Sequence, residues 1–109
     1  MTELAREVLA FLQANAVGAE NRVTRPALRR ALGRGDRAIR QAISELCELG
    51  HPIVGDPRLG GYYLAANAEE AKRAIAILKS YARNIERRIR SLECAFGLNG
   101  QQRLPLEVQ

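Results

Sequence analysis

The sequence predicts an α+β fold that is mainly helical, with three short helices and a β-hairpin followed by one long C-terminal helix. Three observations lead to this prediction. Apolar residues recur at helical spacing in the early segments, turn residues separate two short β-branched or aromatic runs near the middle, and neither glycine nor proline occurs between residues 67 and 96. A length of 109 residues suits one domain with an appendage, and a hydrophobic fraction of 47% is enough for a folded core.

The three short helices occupy the first half of the chain. An apolar stripe predicts the first helix, over residues 3–16. Thr24 is placed to cap the second, a two-turn helix, because its side-chain oxygen can accept a hydrogen bond from an unpaired N–H of the first turn. Asp36 is predicted to cap a third helix, over residues 36–49, which a glycine and a proline then terminate.

Two short runs of β-branched and aromatic residues follow the third helix. Residues 53–54 form one run and residues 62–64 the other, and residues 55–61 between them are dense in glycine, proline and aspartate. Short strands separated by such turn residues predict a β-hairpin. Arg58 lies within the turn segment, so we expect it at the hairpin tip.

The long helix begins with a capping pattern. Asn67 precedes Glu70 by three positions, the spacing at which the two side chains can bond to unpaired backbone N–H groups at the start of a helix. The prediction for the whole chain is therefore a domain over residues 1–66, a long helix over residues 67–97 and a flexible tail over residues 98–109.

Positive charge is concentrated in one part of the chain. Lysine and arginine number 17 against 12 acidic residues, a formal net charge of +5. Residues 22–40 hold seven arginines and a single acid, Asp36, whereas the segments on both sides are net negative. The planar guanidinium of arginine suits phosphates and the edge of guanine. The segment indicates a polyanionic partner, and a merely solvated charged face is the alternative.

Two segments carry a resemblance to a known family. Residues 37–53 read Arg-Ala-Ile-Arg-Gln-Ala-Ile-Ser-Glu-Leu-Cys-Glu-Leu-Gly-His-Pro-Ile, and residues 60–64 read Gly-Gly-Tyr-Tyr-Leu. In this order and spacing they resemble the winged helix-turn-helix of bacterial regulators of the biotin-operon-repressor type, over residues 3–66. The chain is also similar to small phage-associated helix-turn-helix proteins with a helical C-terminus. The resemblance implies a three-helix core with a β-hairpin wing, in which residues 36–49 form the recognition helix.

The recognition helix implied by the resemblance has an apolar face and an opposite polar face. Near the start of such a helix, arginine can bridge O6 and N7 of guanine, and glutamine can bridge N6 and N7 of adenine. The residues expected to read bases are Arg37, Arg40, Gln41 and Ser44. Phosphate contacts are expected from Arg25, Arg29, Arg30 and Arg34, and a wing contact from Arg58.

The long helix carries a heptad pattern of apolar residues. They alternate at spacings of four and three without a break, which places them on one stripe. The preceding domain is too small to cover the whole stripe, so we expect a second copy to cover it. The predicted dimer interface consists of Ile75, Leu78, Ala82, Ile85, Ile89, Leu92 and Phe96. Arg88 and Glu93 would pair across a parallel dimer; antiparallel pairing, and folding of the helix onto its own domain, stay open.

No combination of residues indicates catalysis or a bound cofactor. His51 is the only histidine, and Cys47 and Cys94 lack metal-ligand spacing, so we expect no catalytic, metal or cofactor site. No apolar run reaches the ~18–20 residues that a membrane span needs. The N-terminus lacks the pattern of a secretory signal, so we expect a cytoplasmic protein with no membrane partner.

The expected function is that of a dimeric protein that binds double-stranded DNA, most simply a transcriptional regulator. The alternative is a winged-helix adaptor that binds another protein through the heptad helix. An RNA-binding or enzymatic role is the third class. Nothing in the sequence identifies the operator or an effector.

Overall fold

The computed structural model describes residues 1–98. Its elements in chain order are α1 (Glu3–Asn15), a 3-10 turn (Ala19–Asn21), α2 (Arg25–Leu32), α3 (Asp36–Glu48), β1 (Ile53–Gly55), β2 (Tyr62–Leu64) and α4 (Ala68–Phe96). This order confirms the predicted mainly helical α+β fold, in which a two-stranded antiparallel hairpin precedes a long C-terminal helix. Of the predicted tail over residues 98–109, all but Leu98 lies outside the described residues.

The chain divides into two compact units, Met1–Ala74 and Ile75–Gln109. The first unit contains every element up to the first turns of α4. It extends beyond residue 66, where the sequence predicts the first domain to end, and Ala74 within it is only 7% exposed. The boundary between the units therefore falls inside a continuous helix.

The core of the first unit is aliphatic. Its buried cluster comprises Ala5, Val8, Leu12, Ala16, Leu28, Ile39, Ala42, Ile43, Leu46 and Leu64. α1 packs along α3, and the fully buried Leu12, Leu28 and Leu46 come from α1, α2 and α3 respectively. Burial of one leucine side chain stabilises a fold by about 1.5–3 kcal/mol. The core therefore fixes α1 and α2 against α3, with their remaining faces in solvent.

Side-chain caps stand at the start of α2 and of α4, as they do at the start of α1. Thr24 Oγ1 accepts a hydrogen bond of 3.2 Å from an N–H of the first turn of α2, and Asn67 Oδ1 accepts one of 2.9 Å from Glu70 N–H. Both caps confirm the predictions. For α3 the predicted helix is present but the predicted cap is wrong: the N-cap is Gly35, without a side-chain bond, and Asp36 lies in the first turn. A carboxylate in that turn still interacts favourably with the positive end of the helix dipole.

Glu70 connects the start of α4 to the loop after α1. Its Oε1 accepts a hydrogen bond of 2.9 Å from Ala66 N–H, and its Oε2 accepts one of 3.0 Å from Ala19 N–H. These donors, Ala19 foremost, hold the pKa of Glu70 below its usual 4.5. The ionised Glu70 carboxylate therefore stabilises the fold at a pH above its ordinary pKa of 4.5. This stabilisation is lost as the pH falls through the lowered pKa of the folded state.

The hairpin is held in place from both edges of β2. β1 pairs with β2 in antiparallel register, with Ile53 opposite Leu64. On the other edge, Tyr62 N–H donates to the Val23 carbonyl at 2.9 Å and Val23 N–H donates to the Tyr62 carbonyl at 3.0 Å. The hairpin is therefore fixed to the segment that leads into α2.

Gly61 permits this close approach, so its substitution is expected to destabilise the fold. A Cβ at Gly61 would lie 2.4 Å from the carbonyl oxygen of Val23. Gly60 shares the φ of +78° but would have nothing within 4 Å of an added Cβ, so Gly60→Ala reports the backbone strain alone. We expect Gly61→Ala to lower the free energy of unfolding by about 1–3 kcal/mol more than Gly60→Ala does, measured by urea denaturation. Equal losses in the two variants would contradict the close packing at this point.

α4 is a single helix of 29 residues, Ala68–Phe96. Gly97 ends it with a φ of +66°, and its N–H donates to the Cys94 carbonyl at 3.2 Å. Leu98 N–H donates to the Glu93 carbonyl at 2.8 Å, which completes a Schellman motif. The first glycine after residue 67 therefore terminates the helix, close to the predicted end at residue 97.

Candidate nucleic-acid interface

Six arginines lie on α2, on the turn that follows it and at the start of α3. These residues, here called the arginine cluster, are Arg25, Arg29, Arg30, Arg34, Arg37 and Arg40, and all are exposed. Leu28 anchors α2 in the core. Gly33 then takes the left-handed conformation, with a φ of +64°, which only glycine adopts at low cost and which turns the chain towards α3. The fold thus holds these arginines on two packed helices and a tight turn.

Asp36 is the single carboxylate within residues 22–40, and it lies between two members of the arginine cluster. Its Oδ1 is 3.9 Å from Arg25 Nε, and its Oδ2 is 3.7 Å from Arg40 Nη1. The Arg25 and Arg40 side chains nevertheless remain 50% and 63% exposed. Exposed pairs at such distances contribute about 0–1 kcal/mol, so both guanidinium groups can exchange the carboxylate for another anion.

The other four arginines of the cluster form no ion pair with any residue among 1–98. Solvent and mobile ions therefore have access to these four charges. The local excess of positive charge predicted from the sequence therefore lies at the surface, where a polyanion could reach it.

α3 presents a polar face opposite its buried side. Ile39 and Leu46 are buried in the core, whereas Arg37, Gln41 and Ser44 are exposed. The spacing of these three by four and three residues places them on one stripe of the helix. Arg40 flanks that stripe and is also exposed. All four predicted base-reading residues therefore lie on the accessible side of α3.

The C-terminal end of the same helix is acidic. Glu48 is exposed there, and Glu45 is bound to the N-terminus of the chain: its Oε2 and Oε1 accept hydrogen bonds of 2.8 Å from Thr2 N–H and Thr2 Oγ1. These bonds, with the backbone N–H foremost, lower the pKa of Glu45 below its usual 4.5 and keep it ionised. The polar face of α3 thus changes from positive at its start to negative at its end.

The hairpin tip carries Arg58, as predicted, but its charge is partly offset. Asp56 Oδ1 accepts hydrogen bonds from the backbone N–H groups of Arg58 at 2.8 Å and of Leu59 at 3.2 Å. The same carboxylate oxygen lies 3.8 Å from Arg58 Nε, and the Arg58 side chain is 57% exposed. The backbone bonds, with that of Arg58 foremost, lower the pKa of Asp56 below its usual 3.8. Arg58 is therefore accessible, with a neighbouring negative charge that the sequence argument did not anticipate.

The hairpin turn lies beside the start of α2. A shallow surface pocket is lined by Arg25, Gly55, Asp56, Pro57, Gly60, Gly61 and Tyr62. One member of the arginine cluster therefore borders the hairpin, so α2 and the hairpin turn form a continuous surface. The sequence could not reveal this neighbourhood, because it depends on the bonds between β2 and the Val23 segment.

In the second unit, α4 displays an apolar stripe. Its large members Ile75, Leu78, Ile85, Ile89, Leu92 and Phe96 are 48%, 50%, 53%, 49%, 64% and 66% exposed. Ala82, at the centre of the stripe, is exposed as well. Isolated exposed apolar residues are ordinary in folded proteins, but an unbroken stripe of them is typical of an interaction surface.

Neither a metal-ligand cluster nor a membrane-spanning helix is found among the described residues. No group of three or more His, Cys, Asp or Glu side chains among residues 1–98 is arranged to hold a metal ion. Within the same residues, no helix has both the length and the apolar character needed to cross a bilayer.

No protein-family model matches the chain, and neither a curated protein nor a solved structure gives a significant match. The residues and their geometry therefore carry any functional assignment.

Proposed function

We propose that this protein is a dimeric winged-helix protein that binds double-stranded DNA and regulates transcription. The observation that carries the proposal is the exposed arginine cluster, whose six guanidinium groups have only the Asp36 carboxylate, paired with Arg25 and Arg40, as a partner among the described residues. Such an excess of positive charge attracts a polyanion. Duplex DNA fits best, because its major groove is wide enough to admit an α-helix such as α3.

The order of elements supports the winged-helix part of the proposal. Three helices precede a hairpin, and the turn between α2 and α3 is as tight as a helix-turn-helix requires. The hairpin would act as the wing, with Arg58 at its tip reaching the backbone or an adjacent groove. Its firm attachment through Val23 would hold it at a fixed distance from α2.

The exposed face of α3 would read bases in the major groove. Arg37 and Arg40 would donate to guanine O6 and N7, Gln41 would pair with adenine, and Ser44 would bond to either. Because Glu45 and Glu48 make the end of the helix negative, the N-terminal half of α3 would enter the groove and the C-terminal half would tilt away from the phosphates.

The remaining arginines of the cluster would bind phosphates. Arg25, Arg29, Arg30 and Arg34 are exposed and lie on α2 or in the turn before α3. Phosphate contacts of this kind fix the position of a protein on the duplex without reading its sequence. They would supply affinity, whereas the face of α3 would supply specificity.

A second copy of the chain would cover the apolar stripe of α4. Leaving several large apolar side chains in water forgoes about 1.5–3 kcal/mol for each one that could be buried. A dimer also places two recognition helices on one duplex, which is how helix-turn-helix proteins gain affinity and symmetry. The same stripe favours the second candidate function, an adaptor that binds a different protein chain through α4.

Selection of bound sites from a pool of random duplexes tests the proposal. We expect the wild-type protein to enrich a sequence with two-fold symmetry, because a symmetric dimer presents two identical recognition helices. Failure to enrich any sequence, together with co-purification of a defined partner protein bound to α4, would favour the adaptor function instead.

A further inference from the structure

We infer that two copies of α4 pair in antiparallel orientation, with the two-fold axis passing between residues 83 and 84. The inference rests on the dimer of the proposed function and specifies its geometry. In this register Ile75 lies opposite Leu92 of the second copy, and Leu78 lies opposite Ile89 of the second copy. Every stripe residue from Ile75 to Leu92 then meets another stripe residue, and the large side chains among them are about half exposed or more in the single chain.

The centre of the stripe favours this orientation. Ala82 would face Ile85 of the second copy, so that a small side chain lies opposite a large one in both central layers. A parallel pair would place Ala82 against Ala82, which leaves a thin layer between bulky ones. Cores reach native density when large and small side chains alternate across facing positions. In the outer layers, isoleucine occupies heptad position a and leucine occupies position d. This pattern suits a two-stranded coiled coil but does not decide whether the two helices run parallel or antiparallel.

The charges beside the stripe favour it as well. In an antiparallel pair, residues at heptad position e of one copy face those at e of the other. The e residues of α4 are Lys72, Lys79, Glu86 and Glu93. Lys79 would face Glu86 of the second copy, and Lys72 would face Glu93 of the second copy; the two-fold axis repeats both contacts. Opposite charges meet at each of these contacts.

The other edge of the stripe is also compatible. Tyr81 would face Arg88 of the second copy, where a guanidinium can lie on the aromatic ring. Within a single chain, Glu86 lies 3.8 Å from Arg90 and Lys72 lies 3.6 Å from Glu69. Those exposed pairs within one chain are weak, so Lys72 and Glu86 remain able to pair with the second copy.

A parallel pair uses these charges less well. There, position g of one copy faces the following e position of the other, so Arg88 would pair with Glu93 of the second copy. Tyr81 would face Glu86 of the second copy, and both lysines would lack a negative partner. The parallel arrangement thus has half as many attractive contacts between charged side chains as the antiparallel one.

Charge reversal at the two lysines separates the orientations. In an antiparallel dimer, Lys72→Glu with Lys79→Glu turns every contact between e residues repulsive, and we expect the dimer dissociation constant to rise at least about tenfold. In a parallel dimer the same lysines meet no charge, and the constant would stay at the wild-type value. Sedimentation equilibrium of the full chain measures this dimer dissociation constant.

A complementary variant guards against loss of folding. Glu86→Lys with Glu93→Lys should also weaken self-association, but an equimolar mixture with the Lys72→Glu, Lys79→Glu variant should associate at least as tightly as wild type, because opposite charges meet again. The control is Arg83→Glu with Arg87→Glu, the same change of charge on the outer face of α4, which should leave the constant unchanged.

The outcomes distinguish the inference from the proposal beneath it. The antiparallel pairing would be overturned if the Lys72→Glu, Lys79→Glu variant dimerised as tightly as wild type, or if the mixture of the two variants stayed monomeric. Neither result would contradict the dimer itself. A wild-type chain that stays monomeric at about 100 µM, where even weak pairs associate, would overturn the dimer itself.

Discussion

Replacement of Arg37 and Arg40 by glutamate should weaken binding to duplex DNA by at least about a hundredfold, because each bidentate contact between arginine and a base is worth about 1–3 kcal/mol. Both side chains are exposed on α3. The fold should tolerate the change, since the only ion pair it breaks among the described residues is the 3.7 Å pair between Arg40 and Asp36. Fluorescence anisotropy with a labelled duplex measures the affinity.

Two controls make this prediction specific. Arg83→Glu with Arg87→Glu changes the net charge equally but lies on α4, and it should lower the affinity far less. Thermal unfolding and sedimentation should show that the Arg37→Glu, Arg40→Glu variant remains folded and keeps the wild-type mass. Unchanged DNA affinity in this variant would show that α3 does not read the duplex.

Replacement of Ile85 and Leu92 by aspartate should abolish self-association. Both side chains are more than half exposed among the described residues, so the second copy of the proposed dimer would bury them. Each buried side chain of this size is worth about 1.5–3 kcal/mol, and the symmetric dimer loses four of them. We expect the dissociation constant to rise at least about a thousandfold, measured by light scattering coupled to size exclusion.

The matched control places the same residue type elsewhere on α4. Asn84→Asp with Ser91→Asp introduces two aspartates at exposed positions outside the stripe, and the dimer should persist. Circular dichroism separates loss of the interface from loss of helix, because an aspartate in a helix interior costs only a few tenths of a kcal/mol. An unchanged mass for Ile85→Asp with Leu92→Asp would exclude the stripe as the interface.

Local signals in the sequence predicted most of the fold. Thr24 and Asn67 cap helices because their side chains bond to N–H groups only three residues away. Gly97 ends α4 because a left-handed residue is needed there. Such interactions lie within one or two turns of the chain, so sequence spacing is sufficient to identify them.

Contacts between distant segments could not be predicted in the same way. Glu70 bonds to the Ala66 N–H next to the predicted cap residue, and it also bonds to Ala19, 51 residues away in sequence. Glu45 binds Thr2 across 43 residues. Their partners become visible only once α1, α3 and α4 are placed in space.

The candidate site shows the same division. Helical periodicity correctly placed Arg37, Gln41 and Ser44 on the exposed face of α3. The position of Asp36 between Arg25 and Arg40 depends on how α2 packs beside α3, so spacing alone could not show it. Periodicity likewise marked the apolar stripe of α4, and the small size of the preceding domain predicted that it would be left uncovered in the single chain.

The salt dependence of DNA binding by the wild-type protein is the decisive measurement, because only contacts with phosphates release condensed counterions. If the arginine cluster and Arg58 together neutralise about four to seven phosphates, log K falls with log salt at a slope of about −4 to −6. A slope near zero, or no binding to duplex DNA at low salt, would show that the exposed guanidinium groups serve another purpose.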